Sequence, residues 1–142
     1  MKPTLVPGIK FEHTFRLTDQ KMVPALYPEA PEFQVMPEVF ATGFLVGFLE
    51  WACLNSVIPH LDWPREQTVG THVNVSHLAA TPAGAMVTAK VELIAVDGRR
   101  LRFRVAGYDE KDLISEGSHE RFVIDRGRFD QSLEEKRKAL DL

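Results

Sequence analysis

Between Glu38 and Asp62 the chain carries one formal charge, Glu50, inside the run Val39–Ile58. A helix that is apolar nearly all round belongs in a core or in a membrane. A carboxylate in such a place is paired or used, because an unpartnered buried charge is costly. Desolvation also raises a carboxyl group's basicity, and such groups gather at functional sites. The run therefore predicts a central helix over about 37–58, roughly 30 Å long at 1.5 Å per residue, with Glu50 either in the function or satisfied by a neighbouring strand.

The run is long enough to test as a membrane span. Glu50 lies in its middle, with Thr42, Asn55 and Ser56 nearby, and no polybasic flank adjoins its C-terminal end. The chain beyond Ile58 reads as a soluble sheet, so a core helix is expected and no membrane partner. The 142 residues suit one domain over 1–142, and 44% hydrophobic with 26% charged residues is ordinary globular composition. A net charge of −3 disfavours a nucleic-acid partner. Cys53 is the only cysteine, which excludes an intrachain disulfide and a Cys-based zinc pattern; it reads as a small core residue. The first ten residues lack the continuous apolar stretch of a signal peptide, so a cytoplasmic location is expected.

Around the helix the pattern has period two. Ile9–Leu17 reads as a first strand. Residues 18–37 hold Pro24, Pro28, Pro31 and Pro37, which exclude a long helix, yet Val23, Leu26, Tyr27, Phe33 and Met36 are apolar. This segment is either a functional lid or a loop packed over the core. Beyond the helix, Val69, Val73, Val75 and His77 share one face of a strand. Val87, Ala89, Val91, Leu93 and Ala95 form the apolar face of the next, and Asp97-Gly98 marks a hairpin turn. Leu101, Phe103 and Val105 continue that face, with Arg100, Arg102 and Arg104 opposite. Leu113–Ile124 reads as the last strand, and 127–142 as a charged tail. A strand, a lid, a long helix and a four-strand meander predict an α+β domain, with the helix wrapped by a curved antiparallel sheet in the hotdog arrangement. Such a sheet exposes an edge, and edge pairing between two copies predicts a homodimer.

Thr42 lies near the helix start, where it suits either an N-cap or a catalytic hydroxyl beside unpaired N–H groups. Thr42 and Glu50 stand about 12 Å apart along the axis and about 80° round it, so they cannot touch on a straight helix. His77 is either a satisfied core histidine or a catalytic one. His72 falls on the opposite face, and no His-Glu-x-x-His motif exists, so no zinc site is expected. The Arg100, Arg102 and Arg104 stripe is a solvated face or an attraction for phosphates. Arg121 falls on the apolar face of the last strand and needs a partner; Glu50 and a ligand phosphate are both candidates.

Tyr27-Pro-Glu, Pro31-Glu-Phe, Pro37-Glu-Val-Phe-Ala-Thr-Gly-Phe44, Glu50-Trp-Ala-Cys53, His77-x-Ala-Ala-Thr-Pro-x-Gly84, Gly98-Arg-Arg-Leu101 and His119-Glu-Arg121 together resemble the fluoroacetyl-CoA thioesterase family. The resemblance runs from about Phe11 to Phe129. It implies a hotdog dimer that hydrolyses acyl-CoA thioesters, with catalytic Thr42, Glu50 and His77, and ligand contacts at Gly70 and Arg121. It also implies an apolar lid of Val23, Leu26, Phe33 and Met36; the last position is aromatic in the family pattern, so selectivity for a fluorinated acyl group does not carry over. Coenzyme A enters as part of the substrate and no other cofactor is implied.

Two mechanisms are open: attack by Glu50 to form an anhydride, which the resemblance favours, or Glu50 as a base on water. A hotdog hydratase or dehydratase and a non-catalytic acyl-CoA-binding protein are the rival readings. If Glu50 is a desolvated, unpaired charge, Glu50→Gln is expected to cost no stability and even to add some.

Overall fold

The computed structural model describes all 142 residues. Five antiparallel strands form one sheet: β1 (Lys10–Arg16), β2 (Glu66–Val75), β3 (Met86–Asp97), β4 (Arg100–Tyr108) and β5 (Leu113–Asp125), in spatial order β1-β3-β4-β5-β2. Two short helices, α1 (Val23–Leu26) and α2 (Pro31–Gln34), occupy the proline-rich segment. The central helix α3 (Thr42–Val57) runs on into a 3₁₀ turn at Ile58–His60, and α4 (Arg126–Ala139) ends the chain's ordered elements. This is the α+β arrangement that the sequence predicts.

Alternation explains the core. Phe11, His13 and Phe15 of β1 face Val91, Ala89 and Val87 of β3, and these face Val105, Gly107 and the end of β4 in turn. Leu45, Phe48, Leu49, Ala52, Cys53 and Val57 of α3 close over them. Burial pushes the Cys53 thiol up to about 12, which leaves it a core residue. The stretch Thr42–His60 is long and apolar enough to cross a membrane by composition. Here it packs across β1, β2, β3 and β4 of the sheet instead.

Three sequence expectations change. The helix starts at Thr42, not near Pro37, because the preceding N–H groups are spent elsewhere: Phe40 donates to Thr81 O at 2.8 Å and Ala41 to Lys21 O at 3.0 Å. α3 is therefore about 24 Å long rather than 30 Å. The hairpin turn between β3 and β4 is Gly98-Arg99, flanked by the pair Asp97 and Arg100. Gly98 has φ 59°, the positive value that favours glycine at the first turn position. Finally, irregularities shift the alternation. One between Leu93 and Ala95 turns Ala95 to the outer face beside Arg102, and Val96 takes the inner position opposite Leu101.

The other irregularity lies between Gly70 and His72 of β2. Gly70 pairs with Arg121, and Val73 with His119, so both share the inner face with those two buried residues. Val69 pairs with Phe122 and faces outward, contrary to the sequence reading. The extra residue is what puts Gly70 and Val73, three apart, on one side of the sheet.

Candidate active site

Two clusters of the sequence-predicted residues form along α3. The first is at its N-terminus. Thr42 Oγ1 lies 2.8 Å from His77 Nδ1. β2 ends at Val75, so His77 is carried by the extended segment after it, where Ser76 N and Leu78 N donate to Glu116 O and Ile114 O. The other ring nitrogen, His77 Nε2, is buried and has no hydrogen-bond partner. A buried unpaired nitrogen costs free energy unless something binds to it.

Thr42 and His77 line a pocket of about 350 Å³ together with Val23, Met36, Val39, Phe40 and Leu78–Ala80. Two of the four expected lid residues reach this wall. Val23 and Met36 line the pocket directly. Leu26 and Phe33 do not. The Leu26 methyl Cδ1 lies 3.0 Å from where a Cβ on Gly43 would sit, and the Phe33 ring packs 6.2 Å from that of Tyr27. These two hold the lid together and onto α3.

The second cluster stands two turns further along α3. Glu50 Oε1 accepts from Arg121 Nη1 at 3.0 Å. Arg121 is the more buried partner, with its side chain 7% exposed against 40% for Glu50. Its other donors are also used: Nε to Thr68 Oγ1 at 2.8 Å and Nη2 to Thr68 O at 2.9 Å. The fork is thus fixed in one orientation. Glu50 is not the buried charge that its neighbours in sequence suggest, because α3 leaves one face open in the protomer: Thr42, Gly43, Gly47 and Trp51 are exposed, and Val46, Glu50 and Leu54 half-buried.

Gly70 is where the strand touches this carboxylate. A Cβ there would overlap Glu50 Oε1 and come within 3.3 Å of His119 Cε1. The position lies inside β2 rather than at its start, and glycine serves here by omitting a side chain.

The periodicity reading passed over two residues of this cluster. Thr68 is buried and supplies two of the four acceptors around Arg121. His119 Nδ1 lies 2.8 Å from His72 O, so it carries the proton, and Nε2 accepts from Arg121 Nη1 at 3.1 Å. Burial, with the Arg121 charge beside it, holds this imidazole below the usual histidine range, against the pull of the His72 carbonyl and Glu50. The available signal was position: His119 precedes Arg121 by two, which puts both on one face of β5.

No group of three or more His, Cys, Asp or Glu side chains is placed to hold a metal ion. The arginine stripe on β4 is exposed, and Arg104 pairs with Glu92 at 3.3 Å.

The sequence profile of the fluoroacetyl-CoA-specific thioesterases matches residues 23–127. The fluoroacetyl-CoA thioesterase of Streptantibioticus cattleyicolor is 47% identical over 139 residues, 98% of this chain and 99% of that protein. A solved variant of a fluoroacetyl-CoA thioesterase in complex with acetyl-CoA has a TM-score of 0.89 at 47% identity, over 92% of this chain and 97% of that one. Another, in complex with fluoroacetate and CoA, has a TM-score of 0.84 at 50% identity, over 87% and 98%. A Thermus thermophilus thioesterase superfamily member, 23% identical, shares the fold with a TM-score of 0.87 over 99% and 98%.

Proposed function

The chain belongs to the fluoroacetyl-CoA-specific thioesterase family and is a hotdog-fold acyl-CoA thioesterase; we propose that it hydrolyses short-chain acyl-CoA to the free acid and coenzyme A. The observation that carries the reading is the Thr42–His77 contact at 2.8 Å, with His77 Nε2 left unpartnered in a pocket that the apolar lid covers. A thioester carbonyl entering this pocket meets a hydroxyl and an imidazole, and its small acyl group meets Val23 and Met36. The flexible, unbranched Met36 side chain favours tolerance among small acyl groups over selection of a fluorinated one.

We further infer a homodimer whose sites are composite. Within one protomer the Glu50 and Thr42 Cα atoms are about 12 Å apart along the helix, too far for one carbonyl to touch both groups directly. Two α3 helices packed antiparallel on their open faces about Val46 would set Thr42 of one copy level with Glu50 of the other, since both lie four residues from Val46. Gly47 on that face, where a Cβ would meet nothing within 4 Å, permits close approach, and the outer edge of β2 offers a row of unpaired backbone groups to the same partner.

In the reaction, Glu50 adds through a carboxylate oxygen to the thioester carbon. The C–S bond breaks, the thiolate of coenzyme A leaves and takes a proton, and an acyl-glutamyl anhydride remains. Water then cleaves the anhydride, releasing the acid and restoring Glu50. Arg121 and Gly70 aim the carboxylate, and the Thr42–His77 pair binds the developing oxyanion and passes protons.

Release of free thiol from acetyl-, fluoroacetyl- and longer acyl-CoAs tests the reading. Turnover of the short substrates is expected. Binding without thiol release would favour an acyl-CoA-binding protein, and addition of water to an enoyl-CoA without thiol release would favour a hydratase.

A further inference from the structure

A second apolar pocket, of about 380 Å³, lies beside α3. Phe15, Phe40, Phe44, Gly47, Phe48 and Trp51 line it, with Lys21 Nζ 5.2 Å from the centre of the Phe44 ring. Thioester hydrolysis at Thr42, His77 and Glu50 makes no use of it. One residue belongs to both pockets: Phe40 also lines the catalytic one, beside Val39 and Thr42.

Phe40 is built as a partition. Its side chain is 2% exposed and packs edge-on against Phe48, with ring centres 6.4 Å apart. Its backbone is tied on two sides, by the N–H bond to Thr81 O and by the bridge to Met22. Thr81 is itself buried and donates from Oγ1 to Asp109 Oδ2 at 2.8 Å. The ring can therefore be shortened without releasing the strand-like segment that holds it.

Resting on the thioesterase reading, we propose that Phe40 is the wall that sets acyl length: it closes the catalytic pocket behind a short acyl group and shuts the chain out of the aromatic pocket beyond. The occupant of that second pocket, once the wall is lowered, is the distal part of a medium-length saturated acyl chain. The lining fits this chemistry, since an alkyl tail asks only for apolar surface and the pocket presents five aromatic rings. Specificity here is steric exclusion, in which the wild-type side chain rejects the longer substrate.

The experiment compares kcat/KM for octanoyl-CoA with that for acetyl-CoA in the wild type, Phe40→Ala, Phe40→Leu, and Phe40→Ala combined with Phe15→Trp, which refills the second pocket. The octanoyl-to-acetyl ratio is expected to rise about tenfold or more in Phe40→Ala, the low end of what a methylene is worth in an apolar pocket. A smaller rise is expected in Phe40→Leu, and a return toward the wild-type ratio in the double variant. If Phe40→Ala does not fold, Phe40→Leu, which keeps most of the buried volume, carries the comparison. An unchanged ratio in a folded, active Phe40 variant overturns the proposal, as does a rise that Phe15→Trp leaves intact. A wild-type protein that releases no thiol from any acyl-CoA overturns the thioesterase reading itself, and this inference with it.

Discussion

Arg121 is buried and Glu50 is its only carboxylate partner, at 3.0 Å, yet Glu50 itself is half open to solvent. The dependence therefore runs from the strand to the helix: without Glu50 the guanidinium is a buried charge with no counter-charge. This reverses the expectation that Glu50→Gln costs no stability. Glu50→Gln is expected to lower stability by about 1–3 kcal/mol, the scale of weakening a buried charged hydrogen bond, and to reduce thioester hydrolysis by about a hundredfold or more, the scale of lost acid–base catalysis. Denaturant titration and thiol-release kinetics measure the two. Near-normal turnover in the folded variant would remove Glu50 from the chemistry.

Gly70→Ala is the subtler test. Gly70 is not at positive φ, so alanine fits the backbone, and the nearest atom it meets is the far end of the Glu50 side chain, with His119 Cε1 next at 3.3 Å. The carboxylate is expected to shift by about 1 Å while keeping Arg121 as its partner, so the stability cost is smaller than that of Glu50→Gln. Activity should fall by about tenfold or more while the melting temperature moves by only a few degrees, because misplacement of a reacting group by about 1 Å is costly to rate. Full activity in Gly70→Ala would mean that the observed Glu50 position is not the reactive one.

Composite sites make a distinctive claim about mixed dimers. Thr42→Ala and Glu50→Gln are each expected to be nearly inactive as homodimers. In a differently tagged, purified heterodimer one site has both native residues, so about half the wild-type activity should return if the two-fold pairing is as inferred. No recovery would place Thr42 and Glu50 of one site on the same protomer.

Met36 stands at the pocket wall beside Val23, whereas Phe33 packs on Tyr27. Met36→Ala is expected to broaden the range of acyl groups accepted. Phe33→Ala should instead lower turnover of all substrates together by loosening the lid. An unchanged acyl profile in Met36→Ala would remove Met36 from the acyl wall.

Stability should fall as pH drops from 7.5 to 5.5. Burial lowers the folded-state affinity of His119 and of His13 for protons. The unfolded chain then binds more protons once pH falls below about 6.5, the ordinary histidine value, and stability declines with it. Above that value both states are neutral at these positions and the contribution is complete. Gln at position 119 can donate to His72 O and accept from Arg121, so His119→Gln is expected to flatten the slope of melting temperature against pH in this window. A slope unchanged by His119→Gln would assign the effect to His13, whose Nε2 is buried without a partner against Trp51.

The sequence by itself determined what depends on neighbours along the chain. Alternation located β1, β3, β4 and β5, though not the shift between Leu93 and Ala95, and the apolar run located α3 though not its start. Thr42, Glu50, His77 and Arg121 stood out as residue types in unlikely places, and Gly70 came only through family resemblance. The tertiary structure decided what depends on register. The extra residue between Gly70 and His72 exists only as a mismatch against β5, so no period within β2 reveals it. The start of α3 was set by Thr81 and Lys21 accepting the N–H groups of Phe40 and Ala41, partners far off in sequence or on the other side of the lid. The choice of Glu50 as the partner of Arg121 was fixed by α3 crossing the sheet opposite Gly70, where the missing side chain lets the two charges meet. The open face of α3 had the same cause: one sheet can cover only one side of a helix, so an apolar run that reads as wholly buried keeps a stripe free for what binds there.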